Sequence, residues 1–129
     1  VRAIGTKPGG KLWTAGVENP WGDDPAYIQA VELADGDSLV ISGDYQRYFE
    51  YDGVRYAHLI DLTTGYPARY VSSVAVLAHA DTGGLADALS TGLFCLPEST
   101  GQTLAAQNHY AVLWMHPDKT TQKSNDWPQ

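Results

Sequence analysis

The sequence predicts an α+β fold with a mainly antiparallel sheet and two or three helices. One observation is Asp52-Gly53 between two aromatic-rich runs, a strong signal for a β-hairpin with a two-residue turn. Another is a change to helical hydrophobic periodicity late in the chain, where leucines recur at spacings of four, four and three. These leucines are Leu85, Leu89, Leu93 and Leu96. Hairpins early in a chain and helices late in it are typical of the α+β class.

The first half of the chain is predicted to form strands. Residues 1–5 and 11–18 are expected to pair as a hairpin, because Pro8 fixes φ and Gly9-Gly10 supplies positive φ in the turn between them. Residues 19–25 contain two prolines and a glycine and are predicted to be a loop. The strands expected next are 27–33, 38–41, 47–51 and 54–60, with a turn at 35–37.

The second half is predicted to begin with a strand at residues 71–78. A helix from Gly83 follows, and its leucine stripe is expected to face the core. Pro97 ends this helix because proline cannot continue a helical hydrogen-bond ladder. A shorter helix at 99–107, a strand at 110–115 and a polar tail complete the prediction.

The length and net charge of the chain restrict its expected domain organisation and binding partners. With 129 residues the chain is expected to be a single domain, 1–129, with a core of its own. A formal net charge of -7 leaves no basic patch for a phosphate backbone, so nucleic-acid binding is not expected. Cys95 is the only cysteine, and it lies in an apolar run where a small buried hydrophobe is the favoured interpretation.

Asp87 and Thr91 are candidate metal ligands. They lie four residues apart, so they share one face of the predicted helix, turned away from the leucine stripe. A carboxylate and a hydroxyl are hard oxygen donors that suit Mg²⁺ or Ca²⁺. The alternative is that Asp87 is a first-turn acid favoured by the helix dipole and that Thr91 is a surface residue.

His58 is a candidate general base at the end of a predicted strand, since histidine side chains ordinarily titrate near neutral pH. A packed histidine with both nitrogens hydrogen-bonded fits the same pattern. Asp61 lies on the opposite face if the strand continues, so a His58–Asp61 pair stays open. Ser42-Gly43 and Thr64-Gly65 offer hydroxyls and backbone amides that can bind phosphate or a flavin edge, although such loops are common.

Taken together, these clusters resemble the ApbE family, the FAD:protein FMN transferases. The resemblance is carried by four motifs in a characteristic order: Ser42-Gly43-Asp44-Tyr45, the Asp52-Gly53 hairpin, residues 58–67 and residues 86–91. It extends over nearly all of the chain, including the strands that lead into the first motif. One departure is Leu62, which stands where the family's histidine motif usually has proline.

The resemblance implies a reaction and a set of site residues. The family takes FAD as substrate and, with Mg²⁺, moves its FMN half to a threonine or serine hydroxyl of an acceptor flavoprotein, releasing AMP. His58 would take the proton from the attacking hydroxyl, and Asp61 would shape the same site. The other implied roles are flavin-nucleotide binding by Ser42, Gly43, Thr64 and Gly65, and metal binding by Asp87 and Thr91.

Members of this family are longer, so the resemblance implies the C-terminal half of such an enzyme. The partners expected are FAD, the acceptor flavoprotein, and a missing N-terminal half or a second chain. An isolated half is expected to have little or no transferase activity. The resemblance also implies a bacterial periplasmic location, with membrane contact only through an N-terminal lipid anchor. Two other interpretations are a non-catalytic flavin-binding module and an interaction domain.

Overall fold

The computed structural model describes residues 1–80 and 82–129, which form eight strands and two helices. The strands are β1 (Trp13–Glu18), β2 (Tyr27–Leu33), β3 (Ser38–Gly43), β4 (Tyr48–Tyr51), β5 (Val54–Ala57), β6 (Ser73–Ala78), β7 (Ala111–Met115) and β8 (Thr121–Lys123). The helices are α1 (Gly83–Phe94) and α2 (Glu98–Asn108). The predicted α+β class is confirmed. Among the described residues, no helix has the length and hydropathy that crossing a membrane requires.

The central sheet has the strand order β3-β6-β7-β8, and every pair is antiparallel. Strands β6 and β7 are buried on both faces, so their side chains alternate between two apolar clusters. One cluster joins the sheet to α1 and α2 through Val74, Trp114 and Phe94. The other joins it to the two-stranded β1–β2 sheet through Leu113 and Val17. The fold therefore has three layers: helices, sheet and β1–β2.

The predicted hairpin of residues 1–5 with 11–18 is wrong. The turn itself forms, since the Lys7 and Lys11 backbones bridge across it, but the arms then separate. Val1 accepts a hydrogen bond from the Leu39 amide at 2.9 Å, while β1 pairs with β2. Pairing with β2 buries Val17 in the same apolar cluster as Val31 and Leu33, and this burial favours the observed pairing.

The leucine stripe of α1 does not face the core as predicted. Leu85 is 52% exposed and Leu93 is 1% exposed. The buried face is instead made by Ala86, Ser90, Leu93 and Phe94. Small residues at two of these positions let the helix approach the sheet closely. This close contact, and not the stripe of larger leucines, determines which face of α1 is buried.

Residues 116–129, predicted only as a polar tail, contain a strand and a buried tryptophan. Residues 121–123 form the edge strand β8. Trp127 is 2% exposed in the β1–β2 side of the core, and its Nε1 donates to Gln29 Oε1 at 3.1 Å. The amide of Gln29 donates in turn to the Pro128 carbonyl at 3.1 Å. The tail thus closes one face of the domain.

Candidate functional site

A cavity of about 360 Å³ lies where the end of β3, the loop after it, the residues after β5 and the middle of α1 meet. Five of the predicted site residues line it, although they are up to 49 positions apart in the chain. They are Ser42, Gly43, His58, Asp87 and Thr91. The structure therefore brings together the candidate base, the candidate metal ligands and one of the two candidate flavin-binding turns.

Hydroxyl groups join β3 to α1 at the floor of this cavity. Ser42 Oγ lies 2.8 Å from Ser90 Oγ and 3.3 Å from Thr91 Oγ1. The Ser42 carbonyl accepts from the Ser73 hydroxyl at 3.1 Å, which fixes the backbone next to the cavity. These bonds hold Thr91 at a defined position relative to β3.

The Asp87 carboxylate is exposed at the cavity and is available to a ligand. Among the residues that the structure describes, no hydrogen bond or ion pair engages its oxygens. Asp87 is the fifth residue of α1, whose first turn contains no acid, so the helix-dipole interpretation is not supported. A carboxylate without a partner, one helical turn from the Thr91 hydroxyl, matches the donor types that Mg²⁺ prefers.

His58 lies just beyond β5, which ends at Ala57 and not at residue 60 as predicted. The imidazole is exposed, and its Nδ1 lies 3.2 Å from the Arg47 carbonyl oxygen. A carbonyl can only accept, so Nδ1 carries the proton in this bond. In the neutral ring Nε2 is then unprotonated and can take a proton from a hydroxyl. The packed-histidine interpretation does not describe this exposed ring.

Asp61, Thr64 and Gly65 lie outside this cavity, in the turn that follows His58. Asp61 Oδ1 accepts from the Thr63 amide at 2.8 Å and the Thr63 hydroxyl at 2.7 Å, while Oδ2 accepts from Tyr70 Oη at 3.0 Å. Asp61 and Thr64 line a different groove. Gly65 has a φ of +72°, which the turn requires. Because both Asp61 oxygens are engaged, the carboxylate stabilises the turn and makes no hydrogen bond to His58.

This arrangement predicts a pH effect on stability. The hydrogen bonds from the Thr63 hydroxyl and amide, followed by that from Tyr70, lower the pKa of Asp61 in the folded protein. A lowered folded-state pKa adds stability above the unfolded pKa of ~3.9, and that stability is lost as the pH falls through the folded value. We expect Asp61→Asn to unfold at lower urea concentration than wild type at neutral pH. The difference in unfolding urea concentration between wild type and variant should become smaller below about pH 4. A difference that does not depend on pH would contradict the assignment.

Several cavity residues were not predicted from the sequence. Glu18 at the end of β1 accepts hydrogen bonds through Oε2 from Tyr45 Oη at 3.1 Å and from Gln46 Nε2 at 2.8 Å. Burial, followed by the nearby Glu18 carboxylate, raises the pKa of Tyr45. A Cβ at Gly43 would clash with the Tyr45 ring, so a larger residue there would displace that ring. Glu18 could have been suspected from its place at a strand end beside a predicted loop.

Arg47 also lines the cavity and supplies a cation beside His58. Among the described residues, no hydrogen bond or ion pair engages its guanidinium group. A guanidinium in this position suits phosphate oxygens, which it can bind in a bidentate manner. The signal in the sequence was its position two residues after the Ser42–Tyr45 motif.

The metal-binding capacity of the chain is partial. No cluster of three or more His, Cys, Asp or Glu side chains that could hold a metal ion occurs within residues 1–80 and 82–129. Asp87 and Thr91 contribute one carboxylate and one hydroxyl to the cavity. These donors fit Mg²⁺, which typically takes one or two carboxylates and completes its shell with waters and substrate phosphates.

Comparison with known proteins gives a consistent result. The ApbE family model matches residues 1–114. A Haemophilus influenzae protein named FAD:protein FMN transferase is 41% identical over 113 residues, which are 87% of this chain and 32% of that protein. One of the same name from Vibrio cholerae is 40% identical over 114 residues, covering 88% of this chain and 33% of that protein.

Solved structures agree with this. The crystal structure of the ApbE protein from Thermotoga maritima superimposes with a TM-score of 0.82 at 39% identity, covering 96% of this chain and 40% of that one. The apo form of the flavinyl transferase ApbE from Pseudomonas stutzeri superimposes with a TM-score of 0.74 at 33% identity, covering 97% and 38%. The chain therefore spans about a third of the length of the curated relatives that it matches.

Proposed function

Because the chain belongs to the ApbE family, we propose that it carries the base and the metal-binding helix of an FAD:protein FMN transferase. The observation that supports this most is the shared cavity of His58, Asp87 and Thr91. A pyrophosphate placed there would have the imidazole on one side and hard oxygen donors on the other. Phosphoryl transfer depends mainly on such positioning and on neutralisation of charge.

In the proposed reaction an acceptor threonine or serine oxygen attacks the phosphorus atom of the FMN half of FAD. The bond between the two phosphates breaks, AMP leaves, and a phosphoester bond joins FMN to the acceptor. His58 Nε2 takes the hydroxyl proton, while the Arg47 carbonyl holds the ring in the required tautomer. Arg47 and Ser42 would contact the flavin nucleotide. Asp87 and Thr91 would hold Mg²⁺, which supplies charge neutralisation at the phosphates when bound.

We further propose that residues outside this chain complete the site in the intact enzyme. The support is the length of the relatives and the small donor set, one carboxylate and one hydroxyl, that Asp87 and Thr91 provide. The chain alone is then expected to show no appreciable FMN transfer when mixed with FAD, Mg²⁺ and a threonine-containing acceptor peptide. Mass spectrometry of the peptide would detect attached FMN, and rapid attachment would refute this expectation. A periplasmic location is likewise proposed, and fractionation of cells that express the native gene would test it.

Titration of the chain with FAD, with and without Mg²⁺, tests the proposed function. We expect FAD to bind more tightly with Mg²⁺, and Asp87→Asn to reduce this Mg²⁺-dependent gain by ~10-fold or more, because loss even of an outer-shell metal partner has an effect of this size. Asp23→Asn, which changes an exposed carboxylate outside the cavity, is the matched control. Binding of FAD without any Mg²⁺ effect would support a non-catalytic flavin-binding module. No binding, either by this chain or by a chimera that joins it to the rest of the Haemophilus influenzae relative, would favour an interaction domain.

A further inference from the structure

The β4–β5 hairpin and the segment after it form an aromatic arm, residues 48–70. Within the described residues β4 and β5 pair only with each other and with no strand of the central sheet. Among residues 1–80 and 82–129, more than half of the exposed large hydrophobic side chains belong to this arm. They are Tyr48, Phe49, Tyr51, Ile60, Leu62, Tyr66 and Tyr70. Such a concentration on one short excursion is typical of a binding surface.

One face of the β4–β5 hairpin is formed by aromatic and apolar side chains. The hairpin register places Phe49 opposite Tyr56 and Tyr51 opposite Val54, so these four side chains share a face. The Phe49 and Tyr56 rings stack with centroids 5.1 Å apart. Val54 and Tyr56 then form one wall of an open groove of about 650 Å³, whose other wall includes Tyr66. An open groove of this size can admit an extended polypeptide segment.

The groove also has a charged group without a partner. Arg69 is exposed and lines the groove, and in the part of the chain that the structure describes no hydrogen bond or ion pair engages it. Arg55, by contrast, lies 3.9 Å from Asp44 and 4.1 Å from the Tyr48 ring centroid. A free guanidinium beside aromatic rings favours a segment that carries both an apolar and an acidic side chain.

The position of the arm indicates which polypeptide it binds. The residues that flank the hairpin are Arg47 and His58, both of which line the cavity. Tyr56 precedes His58 by two residues, or about 7 Å of extended strand. A segment lying in the groove therefore passes close to the imidazole. The chain as a whole carries a net charge of -7, which does not favour an anionic membrane surface as the occupant.

We infer that the aromatic arm is the docking surface for the acceptor protein. An extended acceptor segment lies in the groove with an apolar side chain against Tyr66 and an acidic one at Arg69. This places its threonine at the cavity beside His58. The inference rests on the proposed function, because the acceptor is a substrate of the proposed reaction. The arm adds a recognition surface that the small polar cavity lacks.

A displayed library of random peptides with one fixed threonine, selected on the full chain, tests this inference. We expect enriched peptides to combine an apolar or aromatic residue with an acidic one. In fluorescence polarisation, the double variant with Tyr51→Ser and Tyr66→Ser should bind an enriched synthetic peptide ~10-fold or more weakly than wild type, as expected for loss of aromatic anchors. Arg69→Gln should also weaken it. Tyr27→Ser, which removes an exposed aromatic side chain on β2, should leave binding unchanged.

Several outcomes would overturn the inference. No enrichment, or equal binding by the arm and control variants, would remove the docking role. If light scattering shows a dimer that the arm substitutions dissociate into monomers, the surface binds a second copy of this chain. Loss of FAD binding in the arm variants would assign the groove to the flavin. If FAD binds as proposed but peptides do not, only the docking inference fails; if peptides bind but FAD does not, the proposed function fails and the acceptor assignment fails with it.

Discussion

Replacing His58 with glutamine is expected to lower the rate of FMN transfer by about 10²–10⁴-fold, the usual contribution of a general base. The measurement uses a chimera in which this chain replaces the matching segment of the Haemophilus influenzae relative, so that the rest of an intact enzyme is present. Glutamine keeps a hydrogen-bonding group near the Arg47 carbonyl but cannot accept the proton. The effect should therefore appear in kcat.

The chimera with the wild-type sequence is the reference for this measurement. FAD affinity should be unchanged in His58→Gln, because the imidazole acts on the acceptor hydroxyl and is not needed to bind the flavin nucleotide. Arg47→Gln is a useful comparison, since it retains the backbone carbonyl that orients the ring but removes the proposed phosphate contact. It should weaken FAD binding. A His58→Gln chimera within tenfold of the reference rate would show that another group takes the proton.

Replacing Trp127 with alanine is expected to lower the free energy of unfolding by about 3–5 kcal/mol, the range for truncating a buried aromatic side chain. Trp127 is 2% exposed among core residues of β1, β2 and the central sheet. Its loss leaves a cavity and removes the donor to Gln29 Oε1. Urea denaturation followed by far-UV circular dichroism would measure the change.

Trp13→Ala is the matched control for this prediction. Trp13 is 41% exposed on β1 and lies 5.9 Å from the Lys7 ammonium, a contact of modest energy at an exposed site. We expect its loss to cost less than about 1.5 kcal/mol. If the two substitutions had equal effects, the tail would not be part of the cooperative core.

The elements that could be predicted from the sequence are those defined by local chemistry. The Asp52-Gly53 turn specifies its hairpin without outside help, and Asp52 and Gly53 both have the positive φ that such a turn requires. Residues 1–5 could not be placed in the same way, because their partner is β3 and the choice between β3 and β1 depends on burial across the whole domain. The rotation of α1 was missed for a related reason: small residues such as Ala86 and Ser90 pack closest to the sheet, and periodicity weighs only the larger leucines.

The cavity was predicted to the extent that its residues belong to recognisable motifs. Ser42, His58 and Asp87 come from three separate motifs, and the fold places them around one cavity. Asp61 belongs to the same motif as His58, yet its carboxylate is taken up by Thr63 and Tyr70. Sequence proximity alone does not show whether an acid faces a cavity or stabilises its own turn. The catalytic role of Asp61 stays a prediction.

The hydrogen bond between His58 and the Arg47 carbonyl closes the base of the β4–β5 hairpin. Separating the two ends of the hairpin would break this bond, and the same bond selects which ring nitrogen is protonated. The geometry of the hairpin base and the tautomer of the imidazole therefore depend on each other. An acceptor that separated the two ends of the hairpin would release Nδ1, and Nε2 would no longer be held as the proton acceptor.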